Sequence, residues 1–367
     1  MSGTHIGVNA LYLIPGGVGG TEIYLRSLLG ALALIDNENT YTIFTNRETD
    51  ARIAPMQPNF QVAPQPVWAS IRPLRILWEQ TVLPWEVRRR GIQVLFNPGF
   101  TAPFVRSCPN VTVFHDLQHK RHPENFRFVE LIFWRILLRG AAVCSRRLIA
   151  VSKETGGDLE HFYSYPATQI QTIPHGVDAH FFEIGKIRMP EQMLLCVSTL
   201  HPHKNLDTLL RGFARFRVRY PEFRLTMAGL RGLHADELER LREELGLSNV
   251  VEFTGWIPRD NLYDLFRRAS AFIYPSRFEG FGMPVLEALA AAIPSACADV
   301  EPMKSLAGSA ALKFDPSSAE DICDTMEALT QDQSVRERLH SEGPLRAAQF
   351  SWESAARETL RVLLAAR

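Results

Sequence analysis

The chain has 367 residues, more than one hydrophobic core usually supports, so two domains are expected. Hydrophobic residues make up 46% and charged residues 22%, the profile of an ordinary globular protein. Forty basic residues balance 40 acidic ones, which argues against nucleic-acid binding as the main role because no global field attracts a polyanion.

In chain order, a strand-like run at Ile6–Ile14 leads into the glycine loop Pro15–Gly20, and then a helical pattern spans Thr21–Ile35. Short apolar runs follow at Tyr41–Phe44, Gln93–Phe96, Val111–Phe114 and Leu148–Val151, each closed by polar or Gly/Pro punctuation. The same rhythm restarts near residue 191. Strands are predicted at Met193–Val197, Phe223–Met227, Val250–Phe253 and Ala271–Tyr274, and helices at Asn205–Tyr220, His234–Leu245 and Pro284–Ala292. Strands alternating with helices predict two mostly parallel α/β sheets with helices on both faces. The expected division is residues 1–182, residues 183–350, and a C-terminal helix over 351–367 that packs back toward the first domain. Ligands of open α/β sheets sit at the carboxyl ends of the strands, so an active site in the cleft between the two sheets is expected.

The five cysteines are odd in number and scattered, with no C-x-x-C pair and no Cys/His spacing suited to zinc. Buried free thiols in a reducing compartment follow, and no metal cofactor is expected. Met1–His5 has no basic n-region, and the most apolar stretch, Phe126–Cys144, is broken by Glu130, Arg135 and Arg139. A cytoplasmic protein is the expectation, with a peripheral contact to the membrane as an open alternative.

Chemistry concentrates in four segments. Ser276–Glu287 runs from a strand end through Gly280 and Gly282 into a helix at Met283-Pro284, with Glu279 in the loop and Glu287 in the helix. Glycines let a ligand approach the backbone, and helix-start amides favour negative charge. Carboxylates accept two hydrogen bonds from a vicinal diol, which suits sugar and ribose. A solvated surface pair is the bland alternative, opposed by the glycines and by Phe278 and Phe281. Val197–Leu206 brings Thr199, His203 and Lys204 to another helix start, where a mobile ammonium suits a diphosphate. The Gly16–Gly20 loop does not fit a dinucleotide fingerprint, because Glu22 occupies the third-glycine position. Val111–Leu117 ends an apolar run in His115-Asp116, which reads as a structural hydrogen-bonder or a cleft residue.

The pattern Pro-Ser-x-x-Glu-Gly-Phe-Gly-x-Pro-x-x-Glu-Ala resembles the E-x7-E signature of the retaining glycosyltransferases of family 4, whose GT-B architecture is two Rossmann-like domains facing across a cleft. The resemblance extends over nearly the whole chain through Ile173–Asp178, Ala228-Gly229, Phe253–Gly255 and Phe350–Trp352. It implies a nucleoside diphosphate sugar as co-substrate, with Glu279 on the donor sugar and Glu287 on the ribose. The amides around Gly280, Phe281 and Gly282 would lie near the sugar and diphosphate. Lys204, with Thr199 and His203, would bind the leaving diphosphate. Gly19 and Gly20 would reach over the phosphates, and His115 would position the sugar with Asp116 as local support.

Transfer in the family is front-face attack with retention, the leaving phosphate assisting deprotonation of the acceptor. The Pro-His-Lys-Asn form of the phosphate loop leans toward mannosyl- or related hexosyl transfer to a glycan or lipid-linked acceptor in surface-polysaccharide or glycolipid assembly. An epimerase of the same fold, a phosphorylase, and a non-catalytic nucleotide-sugar or glycan-binding module are the alternatives. The chain departs from the pattern at four places. Ser198 replaces a glycine, His203 stands where a second cation is common, Ala292 occupies a glycine position, and Glu301–Ser305 lacks the usual Leu-Pro-Glu. His203 would give phosphate binding a pH dependence. The last two departures allow an altered sheet edge.

Residues 68–90 combine Trp68, Trp78 and Trp85 with Arg72, Arg75, Arg88, Arg89 and Arg90, against Glu79 and Glu86. Ile71, Leu74, Trp78, Val82 and Trp85 recur at helical spacing, interrupted by Pro73 and Pro84. The segment reads either as an amphipathic helix packed on the N-terminal domain or as a patch touching anionic lipid or a lipid-diphosphate acceptor.

Overall fold

The computed structural model describes residues 3–17, 19–49 and 51–367; Met1, Ser2, Val18 (inside the glycine loop) and Asp50 lie outside the described residues. The chain divides into two compact units, Met1–Gly176 with Ser351–Arg367, and Val177–Phe350. The first contains β1 (His5–Asn9), α1 (Gly20–Ile35), β2 (Thr40–Thr45), β3 (Phe60–Pro64), α2 (Arg72–Arg89), β4 (Val94–Asn97), β5 (Asn110–Phe114), α3 (Gln118–Arg121), α4 (Phe128–Cys144), β6 (Arg147–Ala150), α5 (Lys153–Tyr163) and β7 (Ile170–Thr172). The second begins with α6 (Ala179–Lys186), β8 (Met193–Val197), α7 (Leu206–Arg219), β9 (Arg224–Ala228), α8 (Ala235–Glu244), β10 (Val251–Gly255), α9 (Arg259–Arg268) and β11 (Ala271–Tyr274). It continues through α10 (Met283–Ala290), β12 (Ser295–Ala298), α11 (Met303–Ala307), β13 (Leu312–Phe314), α12 (Ala319–Gln331) and α13 (Gln333–Ala347). The last helix, α14 (Trp352–Ala366), returns to the first unit and packs on α1.

Each unit is one parallel sheet. The first has seven strands in the order β3-β2-β1-β4-β5-β6-β7, and the second six in the order β10-β9-β8-β11-β12-β13. Both are doubly wound: the strands stay parallel, and the direction of winding reverses between β1 and β4 in one sheet and between β8 and β11 in the other. Strands buried on both faces explain the near-continuous apolar runs at Val111–Phe114 and Ala271–Tyr274.

The strand expected over Ile6–Ile14 ends at Asn9. Beyond it the Asn46 side-chain amide donates to the carbonyls of Leu11 (3.0 Å) and Leu13 (2.7 Å). A buried apolar segment thereby satisfies backbone groups without a strand partner. Within the segment 68–90, Arg72–Arg89 forms one helix despite two prolines, since Pro73 sits in the first turn, where its missing N–H costs nothing, and Pro84 is accommodated inside.

Side-chain caps and close contacts fix several helix starts. Ser152 accepts the Thr155 amide at 3.1 Å, Asp178 the His180 amide at 2.9 Å, and Ser351 the Ser354 amide at 3.1 Å, which starts α5, α6 and α14. Gly176 has no alternative, because a Cβ there would lie 2.1 Å from the Trp352 backbone nitrogen. Thus Gly176 and Trp352, far apart in sequence, meet within the first unit. Ala292 adopts φ 53°, the left-handed conformation that explains glycine at this position in the family. Its carbonyl accepts from Arg188 Nη1 at 2.6 Å and His340 Nδ1 at 3.0 Å. The strand after it is regularly paired, β12 lying between β11 and β13.

Candidate active site

In the second unit the switch point lies between β8 and β11, and the two loops leaving those strands carry Lys204 and Glu279. Asn205 joins them. It is fully buried with φ 56°, and its amide donates to the carbonyls of Pro275 (3.1 Å) and Pro316 (2.7 Å) while its oxygen accepts from Thr208 Oγ1 (2.8 Å). The Arg277 amide donates to the His203 carbonyl at 2.9 Å, a second tie between the loops. Held this way, Lys204 Nζ donates to Glu279 Oε1 at 2.6 Å, and the Tyr274 hydroxyl donates to the same oxygen at 2.7 Å. Burial pushes the Glu279 carboxyl upward, but the Lys204 charge and the hydrogen bonds from Lys204, Tyr274 and Ser276 outweigh it and hold the group below its ordinary range.

Four further positions surround this pair. Thr199 lies just past β8, its carbonyl accepting the His201 amide at 2.8 Å. The His203 ring stacks on His201 with centroids 5.8 Å apart. Ser198, the replacement for glycine, needs no glycine here because the close approach is made from the other side: a Cβ on Gly229 would fall 2.2 Å from the Ser198 carbonyl oxygen. Gly280 lies between Glu279 and the buried Phe281, whose ring meets Phe350 edge-on at 6.0 Å.

Gly282 starts α10 with φ 100°, and a Cβ there would sit 3.2 Å from Leu306 and Met303. Its conformation turns the chain so that the amides of the first turn form the positive end of α10 beside the Glu279 loop. Glu287 is buried in this helix, and Arg259 Nη2 reaches its Oε1 at 3.2 Å. The same nitrogen lies 3.5 Å from Asp178 Oδ2, which also accepts from the Tyr263 hydroxyl at 2.5 Å. Burial raises the Glu287 carboxyl above its ordinary range, and the Arg259 charge offsets this only in part. The two signature carboxylates therefore differ: Glu279 is fixed as an anion, whereas Glu287 is the more easily protonated.

The remaining expected residues belong to the first unit. Gly19 has φ 57° and initiates α1, and neither it nor Gly20 would crowd a neighbour with a Cβ, so the first is required for its conformation. Glu22 braces this loop, accepting the Gly16 amide at 2.8 Å and pairing with Arg26 at 2.8 Å. His115 follows β5 and is buried. Its Nε2 donates to the Pro98 carbonyl at 2.8 Å, and its ring is enclosed by Tyr24 (4.9 Å), Phe100 (5.1 Å) and His175 (5.5 Å). Burial lowers its pKa to about 4, so it is neutral near pH 7, with Nδ1 as the acceptor atom. Asp116 accepts the Gln118 amide at 2.9 Å at the start of α3.

Sequence reasoning missed Tyr274, Asn205, Arg259, Tyr263 and Asp178 as members of the site. Asp178 stood in a recognised motif and Arg259 follows Pro258 at a helix start, the available signals. Among the described residues, no group of three or more His, Cys, Asp or Glu side chains is arranged to hold a metal ion.

Comparison with known proteins accords with this geometry. The family model for glycosyl transferases group 1 matches residues 178–346, and that for glycosyltransferase family 4 matches residues 18–181. The O-antigen chain mannosyltransferase B of Escherichia coli is 29% identical over 75% of this chain and 75% of its own. A serotype-specific mannosyltransferase, WbdA, also of Escherichia coli, is 27% identical over 57% of this chain, a match spanning 27% of that longer protein. The sucrose-phosphate synthase of Thermosynechococcus elongatus superposes with a TM-score of 0.81, covering 99% of this chain and 100% of its own at 19% identity, a likeness of fold. Two adjoining family matches over residues 18–346, together with the signature residues gathered at the strand ends, identify the chain as a GT-B hexosyltransferase that belongs to the group 1 glycosyl transferases, glycosyltransferase family 4.

Proposed function

We propose that this enzyme transfers a mannose-like hexose, with retention, from a nucleoside diphosphate sugar to a hydroxyl of a glycan or lipid-linked acceptor in surface-polysaccharide or glycolipid assembly. The observation that carries the reading is the Lys204–Glu279 pair beside the start of α10. A lysine, a carboxylate and a helix N-terminus offer matched contacts to a diphosphate and a sugar diol. The arriving diphosphate takes the Lys204 ammonium, Glu279 turns to sugar hydroxyls, and Glu287 accepts from the ribose. The amides at Phe281 and Gly282 bind the phosphates, with Thr199 and His203 beside Lys204, and the family resemblance assigns Gly19 and Gly20 to the same donor.

Neutral His115 serves to position the sugar rather than to supply a proton. The acceptor proton passes to the leaving phosphate oxygen as the new glycosidic bond forms on the face the nucleotide leaves. The protein contributes orientation and charge stabilisation, and no metal is required for it. The mannosyl preference rests on the names of the two Escherichia coli relatives and on the Pro-His-Lys-Asn loop.

The test is a panel of nucleotide sugars screened by thermal shift, followed by transfer to a lipid-linked oligosaccharide and assignment of the product anomer by NMR. Transfer of one hexose, dependent on acceptor and keeping the donor's anomeric configuration, is expected. Isomerisation of donor alone would mark an epimerase, and binding without turnover a non-catalytic module.

A further inference from the structure

The helix α4 packs on the first unit through Leu137, Leu138, Ala141 and Ala142, yet its other side is apolar too. Phe128 is 77% exposed, Val129 78% and Ile136 61%, with Ile132 and Phe133 also exposed. These positions repeat at helical spacing, so they form one outward stripe rather than scattered surface residues. A helix hydrophobic all round should be buried, and here one side is uncovered.

The surroundings are basic. Residues 118–147 hold seven Lys and Arg against two Glu, in a chain whose total charge is zero. Arg127, Arg135 and Arg139 are exposed on or beside the stripe. Glu130, the acidic residue of α4, is engaged by Arg72 of α2 at 3.5 Å. That contact joins α4 to a second helix that exposes Leu74, Leu77 and Trp85, with the Arg89 guanidinium over the Trp85 ring at 5.2 Å. Not all of residues 68–90 faces outward. Arg75 and Glu79 are buried against each other, and Trp78 turns in to donate to Gln65 at 3.1 Å.

We propose that the outward face of α4, centred on Phe128, Ile132 and Ile136 and ringed by Arg127, Arg135 and Arg139, docks on the surface of an anionic lipid bilayer. Its apolar residues enter the headgroup boundary while the guanidiniums meet lipid phosphates. No helix among the described residues is long and apolar enough to cross a membrane, so α4, about 25 Å long, lies in the interface plane. A protein partner would not need this excess of one charge around an apolar stripe, whereas a negatively charged membrane attracts it. The inference is independent of which sugar is transferred and stands on surface chemistry alone.

The test is flotation of the full chain with vesicles of phosphatidylcholine alone or mixed with phosphatidylglycerol, at low and high salt. Wild type is expected to float with the anionic vesicles and to be released by salt. The triple variant Phe128→Ser, Ile132→Ser, Ile136→Ser, folded by circular dichroism, is expected to bind at least about ten-fold more weakly to them. Arg135→Glu with Arg139→Glu, which keeps the apolar stripe, is expected to lose the preference for anionic over neutral vesicles. Wild type left unbound by every vesicle overturns the proposal. So does wild type that forms a dimer which the triple variant converts to monomer, because a second copy would then cover the face.

Discussion

Lys204 Nζ donates to Glu279 Oε1 at 2.6 Å across 75 residues of sequence, and both side chains are largely buried. The pair compensates two desolvated charges in the absence of donor. Removing one partner leaves the other buried and uncompensated, which is more costly than removing both. Lys204→Ala should therefore lower unfolding free energy by about 3 kcal/mol. Lys204→Ala with Glu279→Gln should recover most of that loss while still failing to bind nucleotide. Urea unfolding of the three proteins checks it, and equal stability of single and double variants would sink the pairing energetics.

Glu287 depends on Arg259 to remain charged despite burial. Because its folded-state pKa is raised, its anion is lost on acidification above the ordinary glutamate range, and nucleotide affinity should fall there. Replacing Arg259 by Met removes the charge that holds the carboxyl down, so the acid limb of the affinity profile should move to higher pH. Calorimetric titrations across pH would show this, and an unmoved limb would remove Arg259 from the role of positioning residue.

Gly282 combines φ 100° with neighbours at 3.2 Å. Gly282→Ala should cost about 1–3 kcal/mol of backbone strain and displace the first-turn amides of α10. The expected result is a lower Tm together with at least about ten-fold weaker nucleoside diphosphate binding. A variant of unchanged affinity would place the anion elsewhere.

His115 has a pKa of about 4 from burial, and His119 also about 4. Unfolded histidines take up protons near pH 6.5, so between pH 6.5 and 4 the unfolded chain binds more protons than the folded one. Stability is then full above pH 6.5 and is lost as pH falls toward 4, about 3 kcal/mol for His115 alone. His115→Gln should flatten the slope of unfolding free energy against pH in that window. An identical slope would mean that His115 is solvated.

The motifs most readable in the sequence are those whose chemistry is local. Lys204-Asn205 at a helix start, Gly282 before Met283-Pro284, and Ser351 before Trp352 declare their conformations through their neighbours. Strand β1 was overread because its apolar run continues to Ile14, and only the distant Asn46 side chain allows Leu11 and Leu13 to leave the sheet. Arg259 was not legible because its partners, Asp178 and Glu287, lie on other elements of the second unit. Nor could periodicity reveal the bare side of α4. An apolar residue carries the same letter whether it faces the core or solvent, and only the packing of Leu137 and Leu138 tells which side is free.

The most direct measurement is calorimetric titration of the nucleoside diphosphate matching the preferred donor into wild type, Glu287→Ala, and the double variant Lys204→Ala with Glu279→Gln. The expected result is binding by wild type and at least about ten-fold loss in each folded variant, a change of about 1.4 kcal/mol or more. Wild-type affinity in either variant would contradict a donor site built on Lys204, Glu279 and Glu287.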